Sequence, residues 1–131
     1  MKVKIDTKEK FTVITPEEPH LSANLSDDLR NICEERLSHM PKSVVLNLQS
    51  VQQVDDDAAT SIASLQQHFY EQSASFVVCG LSKEVEQHFD NLELLDFLNF
   101  TPTESEAWDI VQMEEVEREL LDSDDIEFET D

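Results

Sequence analysis

Three consecutive aspartates, Asp55 to Asp57, are the most chemically suggestive residues of this chain. Grouped carboxylates can bind a divalent cation such as Mg²⁺ or Ca²⁺, because these ions prefer oxygen ligands. Consecutive side chains diverge, however, and the acidic spacing of an EF-hand loop is missing. The ordinary role of such residues is to begin a helix, since Asp is a favoured N-cap and acidic side chains are stabilised by the unpaired N–H groups there. We therefore predict no metal site.

Other catalytic constellations are missing from the sequence. One glycine excludes a Gly-rich phosphate loop, and there is neither a nucleophile elbow nor a zinc-ligand spacing. The histidines His20, His39, His68 and His88 are scattered, and His68 and His88 fall near helix ends, which favours surface or packing roles for these two. A phospho-acceptor receiver domain also uses carboxylates near a strand end, but its acid pair after the first strand and its lysine after the last strand are missing. We predict no enzymatic activity and no cofactor.

The three aspartates lie between a strand and a helix. Val44–Leu48 is an almost continuous apolar run, which is typical of a strand covered on both faces. After the acids, Ala58, Ile62, Leu65 and Phe69 recur at helical spacing and fall on one face. Strand, loop, acid cluster and helix therefore follow one another within a short span.

The rest of the chain alternates strands with helices. The predicted elements are a hairpin of Val3–Ile5 and Phe11–Ile14, a helix capped by Asn24 or Ser26 and ended by Pro41, a strand at Ser75–Gly80, a helix capped by Ser82, a short edge strand near Phe100 and a last helix capped by Thr103. This order indicates an α/β fold with right-handed crossovers, with a mixed sheet of about four to five strands and about four helices.

The central stretch resembles the STAS domain, the fold of bacterial anti-sigma factor antagonists. In that family a buried strand and a hydrophobic residue precede the motif D-S-S-G and a helix. The four motif positions are here Asp55, Asp56, Asp57 and Ala58. The first acid is kept, both serines have become Asp and the glycine has become Ala.

Two further segments are similar to the family. One is the loop that leads into the first helix, with Ser22, Ala23 and Asn24, and the other is the entry to the last helix, with Pro102, Thr103 and Ala107. The resemblance covers roughly residues 2–113. It predicts a STAS-like domain over residues 1–113, followed by an acidic tail over residues 114–131.

The resemblance implies a role for the acids. In the family the second serine of the motif is phosphorylated by an anti-sigma kinase, and Asp57 stands at that position. The predicted partner-binding residues are Asp55, Asp56, Asp57 and Ala58, flanked by Ser22, Ala23 and Asn24. Asp57 either mimics phosphoserine in part, or belongs to an acidic loop that a changed partner contacts with its own Lys or Arg residues.

The implied function is non-enzymatic regulation by protein–protein contact, as in an anti-sigma factor antagonist of a partner-switching pathway. The alternative is an accessory subunit that braces the ATPase of a membrane lipid transporter. Both alternatives imply a protein partner with a basic surface, either a kinase-like anti-sigma factor or a transporter ATPase.

The charge of the chain agrees with such a partner. Thirty acidic and nine basic residues give a formal net charge of −21. Phosphate backbones and anionic membrane surfaces require clustered Lys and Arg, so we predict no nucleic-acid binding. No apolar run is long enough to span a bilayer, so we also predict no direct membrane insertion. A basic protein surface is the complementary partner.

The two ends of the chain and its cysteines complete the predictions. Residues 114–131 carry ten acidic residues and one arginine, a net charge of −9, and we expect a helical extension followed by disorder. The N-terminus lacks the apolar region of a secretory signal, and Cys33 and Cys79 are too isolated for a disulfide framework. These features predict a cytoplasmic protein with buried thiols.

Overall fold

The computed structural model describes the backbone of residues 1–130 and the side chains of residues 1–121. In chain order its elements are β1 (Val3–Thr7), β2 (Thr12–Pro16), β3 (His20–Leu21), α1 (Ala23–Glu35), β4 (Val44–Asn47), β5 (Gln53–Val54), α2 (Asp56–Glu71), β6 (Phe76–Cys79), α3 (Lys83–Asn91), β7 (Phe100–Thr101) and α4 (Glu104–Thr130). Short 3₁₀ turns occupy residues 36–38 and 95–97.

Five of the strands form one mixed sheet in the order β1-β2-β4-β6-β7. The predicted hairpin is present, since β1 pairs with β2 in antiparallel register from Val3 opposite Pro16 to Thr7 opposite Thr12. The remaining neighbours are parallel. The α/β prediction of a mixed sheet with four helices is therefore confirmed.

The two faces of the sheet are covered by different helices. Val44 and Leu46 of β4 point into a large core that is shared with α1, α2 and α3. Val45, on the other face, lies in a smaller core with Ala107 and Val111 of α4. All residues of β4 and β6 are buried, as their almost continuous apolar sequence predicts. One face thus carries three helices, and the other carries α4.

The cap of α1 differs from the prediction. Ser22, and neither Asn24 nor Ser26, caps the helix, because the Ser22 hydroxyl accepts a hydrogen bond from the backbone N–H of Leu25 at 3.3 Å. Asn24 and Ser26 lie inside the first turn, where Ser26 Oγ donates to the carbonyl of Ala23 at 2.7 Å. The capping residues predicted for the two later helices, Ser82 and Thr103, are confirmed.

Helix α4 continues well past residue 113, with a backbone that is helical to Thr130. The side chains of residues 122–130 and all of residue 131 lie outside the described residues, so disorder in this segment stays a prediction. Within the described residues, no helix has both the length and the apolar character needed to cross a bilayer.

Candidate protein-interaction site

A two-stranded parallel ribbon, which the sequence analysis missed, places the beginnings of α1 and α2 side by side. In this ribbon His20 of β3 pairs with Gln53 of β5, and Leu21 pairs with Val54. The backbone N–H of Asp55 extends the pairing, because it donates to the carbonyl of Leu21 at 2.9 Å. Since β3 leads directly into α1 and β5 into α2, the ribbon brings the loop before α1 next to the three aspartates.

The residues of both loops line one shallow cleft. Its volume is about 520 Å³, and its walls include Ala23 from α1, the aspartates Asp55 to Asp57 from the start of α2, and His88 from α3. The structure therefore assembles into one surface two segments whose only link in the sequence is their resemblance to the same family.

Asp55 is the N-cap residue of α2, but its carboxylate does not cap the helix. Its backbone carbonyl accepts from the N–H of Ala59 at 2.9 Å, as an N-cap residue should. Its side chain turns instead to β3, where Asp55 Oδ1 lies 2.6 Å from His20 Nε2. The first acid of the cluster is thus held by a histidine on the neighbouring strand.

Asp56 is also paired with a histidine. Asp56 Oδ1 lies 2.8 Å from His88 Nε2 on α3, a distance typical of an ion pair, but the two atoms do not form a hydrogen bond. The sequence indicated only a surface or packing role for His88 and no role for His20. No local signal marks them, because only the pairing of β3 with β5 and the packing of α3 bring them to the acids.

Asp57 differs from its two neighbours. It is exposed as the second residue of α2, and it forms no ion pair within 4.0 Å among the side chains that the structure describes. The positive end of the helix dipole stabilises its charge. Asp57 therefore presents an exposed carboxylate that no described side chain pairs with.

The other four predicted contact residues differ in accessibility. Ala58 is fully buried in the main core, so its side chain cannot touch a partner. Ser22 and Ala23 are half-buried, and the Ser22 hydroxyl is engaged with Leu25. Asn24 is exposed. Among the seven predicted contact residues, the accessible polar side chains are thus those of the three aspartates and Asn24.

The single glycine of the chain supports the loop before the acids. Gly80 follows β6 with a φ of +74°, a backbone conformation that residues with side chains rarely adopt. A Cβ atom at Gly80 would lie 2.8 Å from Asn47 Oδ1 and 3.1 Å from the backbone nitrogen of Gln49. Asn47 Oδ1 already accepts the N–H of Gln49 at 3.0 Å, which orders the turn after β4. Gly80 therefore permits a close approach that shapes the path of the chain towards the acids.

Neither thiol is placed for chemistry at this surface. Cys33 and Cys79 are free and buried. Burial raises the pKa of the Cys33 thiol to about 12 and that of the Cys79 thiol to about 11, so both are protonated at neutral pH and are poor nucleophiles. In the described part of the chain, no group of three or more His, Cys, Asp or Glu side chains is arranged to hold a metal ion.

Comparison with solved structures identifies the same fold elsewhere. The Thermotoga maritima protein TM1081 superposes with a TM-score of 0.75 at 15% identity, covering 84% of this chain and 94% of that one. The unphosphorylated form of the anti-sigma factor antagonist SpoIIAA superposes with a TM-score of 0.67 at 15% identity, covering 85% and 96%. The phosphorylated form of SpoIIAA from Bacillus gives a TM-score of 0.62 at 13% identity, covering 84% and 99%.

A part of a membrane transporter also has this fold. The murine anion transporter Slc26a9 matches with a TM-score of 0.66 at 15% identity over 81% of this chain, which corresponds to 18% of the transporter. At these identities the likeness shows the fold alone. No curated protein matches the chain significantly in sequence.

The family itself is shown by the sequence. The family model of the STAS domain matches residues 2–107, which include every strand, the first three helices and the start of α4. This range contains both loops of the candidate surface, so the resemblance predicted from Asp55 to Ala58 is confirmed. The chain belongs to the STAS domain family.

Proposed function

We propose that this protein is a cytoplasmic, non-enzymatic regulator that acts by protein–protein contact in a partner-switching pathway, as an anti-sigma factor antagonist does. Its contact surface is the start of α2, with Asp57 at the centre and with Asp55, Asp56 and Asn24 around it. One observation carries this proposal. Asp57 stands at the motif position of the phosphorylated serine, and it is exposed without an ion-pair partner among the described side chains.

The side chain of residue 57 determines whether phosphorylation at this position can regulate the protein. SpoIIAA, which shares the fold, has both an unphosphorylated and a phosphorylated form. An aspartate carries one negative charge where phosphoserine carries nearly two, and it has no hydroxyl for a kinase to modify. The contact surface of this protein is therefore permanently charged, without a serine switch at residue 57.

A permanently acidic contact surface favours a partner whose own surface presents Lys or Arg residues to it. Charge-assisted hydrogen bonds from a guanidinium or an ammonium to exposed carboxylates are about twice as strong as neutral ones. The net charge of −21 also accelerates encounter with a basic surface over a long range. Both arguments indicate a partner with a basic surface.

The experiment compares wild type with Asp57→Ser as baits in lysate of the source organism, with capture read by quantitative mass spectrometry. Asp90→Asn, which removes an exposed charge on α3, is the matched control. A kinase-like anti-sigma factor that is captured differently by wild type and by Asp57→Ser supports the proposal. Equal capture of every protein by the three baits contradicts it.

The similarity to a part of Slc26a9 supports a second function, because there the same fold is part of a membrane transporter. We propose as the alternative an accessory subunit that braces the ATPase of a lipid transporter. Recovery of a transporter ATPase equally with wild type and with Asp57→Ser would favour this function over the switching pathway.

A further inference from the structure

The outer face of α4 carries an apolar stripe that the STAS core does not use. Met113, Val116 and Leu120 have exposed fractions of 59%, 52% and 58%. The opposite face of the same helix is the one that packs on the sheet, since Val111 is buried and Arg118 donates to the hydroxyl of Ser75 at 3.3 Å. The stripe therefore lies on the side of α4 that faces away from the domain.

The spacing of the stripe is that of a helix-pairing seam. Met113, Val116 and Leu120 are separated by three and then four residues, which are the a, d and a positions of a heptad repeat. Side chains at this spacing insert between those of a second helix. An aligned row of large apolar side chains on a soluble surface marks an interaction site more often than isolated exposed residues do.

The charges beside the stripe define what can cover it. Glu117 and Glu119 occupy the e and g positions on its two sides, and both are exposed. In paired helices the residues at e and g face those of the partner, so like charges repel and opposite charges attract. A second copy of this chain would place glutamates against glutamates, whereas a helix with Lys or Arg at these positions would be complementary.

We propose that the Met113–Val116–Leu120 stripe, with Glu117 and Glu119 beside it, binds a basic amphipathic helix of a partner protein. This surface is independent of the acid loop, because α4 covers the face of the sheet opposite to α1 and α2. A partner on α4 leaves Asp57 free, so two proteins can bind one domain at the same time.

The test uses the full chain, labelled with ¹⁵N, and synthetic helical peptides of about three heptads. The first peptide has Leu at a and d and Lys at e and g. The second has Leu at a and d and Glu at e and g, and the third has Ser at a and d and Lys at e and g. Binding is followed by titration calorimetry and by amide chemical shifts, at physiological and at raised ionic strength.

We expect the first peptide to bind best and to shift the amides around Met113, Val116 and Leu120. Met113→Gln, Val116→Gln and Leu120→Gln combined should weaken its binding at least about tenfold, because the apolar contact is lost. Leu121→Gln removes an equally exposed leucine from outside the seam and should leave binding within about twofold. Circular dichroism and thermal unfolding establish that each variant is folded.

A second variant keeps the apolar residues and tests the charge. Glu117→Lys with Glu119→Lys should reverse the preference, so that the Glu-flanked peptide binds better than the Lys-flanked one. The proposal would be overturned if the two Lys-flanked peptides, with Leu or with Ser at a and d, bound equally well. Amide shifts confined to Asp55–Asp57 would also overturn it. So would self-association of the free protein that the triple Gln variant abolishes.

Discussion

Asp55 Oδ1 lies 2.6 Å from His20 Nε2, although 35 residues separate the two in sequence. The contact joins the residue that begins α2 to the strand that leads into α1. It exists because β3 and β5 pair in parallel, with His20 opposite Gln53 and Leu21 opposite Val54. The pairing of two short strands thus builds the candidate interaction surface, and the side-chain contact of His20 with Asp55 follows from it.

The contribution of this pair to stability should be small. The side chains of His20 and Asp55 are 46% and 41% exposed, and ion pairs at such exposure contribute about 0–1 kcal/mol. We expect His20→Ala to lower the free energy of unfolding by less than about 1 kcal/mol, measured by urea denaturation. Leu21→Ala, in the same strand but fully buried, is the contrasting variant and should cost about 2–5 kcal/mol. A large loss from His20→Ala would show that the pair holds the ribbon together.

Charge reversal at the acid cluster should abolish partner binding without unfolding the domain. Asp55→Lys, Asp56→Lys and Asp57→Lys combined replace favourable charges at the start of α2 with unfavourable ones, at about 0.3–1 kcal/mol each. We expect circular dichroism to show a folded domain and co-precipitation to show that its natural partner is lost.

The matched control for this variant makes the same change of charge at the other ends of the helices. Glu35→Lys, Glu71→Lys and Asp90→Lys alter three exposed acids near the C-terminal ends of α1, α2 and α3, where lysine is favoured by the helix dipole. Partner binding should survive in this control. Equal loss of binding in both triple variants would mean that the partner responds to net charge alone.

Replacement of Gly80 should destabilise the domain for two separable reasons. Gly80→Ala places a Cβ atom 2.8 Å from Asn47 Oδ1 and forces alanine into a φ of +74°, which together should cost about 1–3 kcal/mol. Gly80→Asn adds the same Cβ atom, but asparagine tolerates positive φ better. We expect both variants to lower the free energy of unfolding, with Gly80→Asn slightly less affected. Full stability of Gly80→Asn would assign the requirement to the dihedral angle and not to the close approach.

The cysteines should be inert in the folded protein. Because burial raises the thiol pKa values to about 12 for Cys33 and about 11 for Cys79, iodoacetamide should label neither at neutral pH, and both after denaturation in urea. Mass spectrometry counts the labels. Rapid labelling of Cys79 in the native protein would show that the end of β6 opens.

The raised pKa values of the two thiols also predict how the stability of the protein changes at alkaline pH. The folded state holds the two thiol protons more tightly than the unfolded state does, and the ordinary thiol pKa is 9.0. The stabilisation from these protons is therefore complete below pH 9 and is lost as the pH rises towards 11 and 12. We expect the free energy of unfolding to fall over this range, and Cys33→Ala to reduce the slope of that fall.

The sequence alone determined the features that depend on neighbouring residues. The apolar run of Val44–Leu48 and the helical spacing after Asp57 predicted a buried strand and an amphipathic helix, and Thr103 marked the start of α4, because period and capping act within a few residues. The acid cluster at the start of a helix was readable for the same reason. So was the STAS resemblance, since it rests on the order of these local elements.

Only the tertiary structure decided how the surface is assembled. Ser22 caps α1 in place of Asn24 or Ser26, all three being good capping residues, because β3 directs the chain into the helix at that point. His20 and His88 reach the acids through strand pairing and helix packing, and no spacing along the chain encodes either contact. The exposed face of α4 likewise follows from which side of the helix covers the sheet. Contacts between residues far apart in sequence depend on the whole fold, whereas the elements themselves depend on local chemistry.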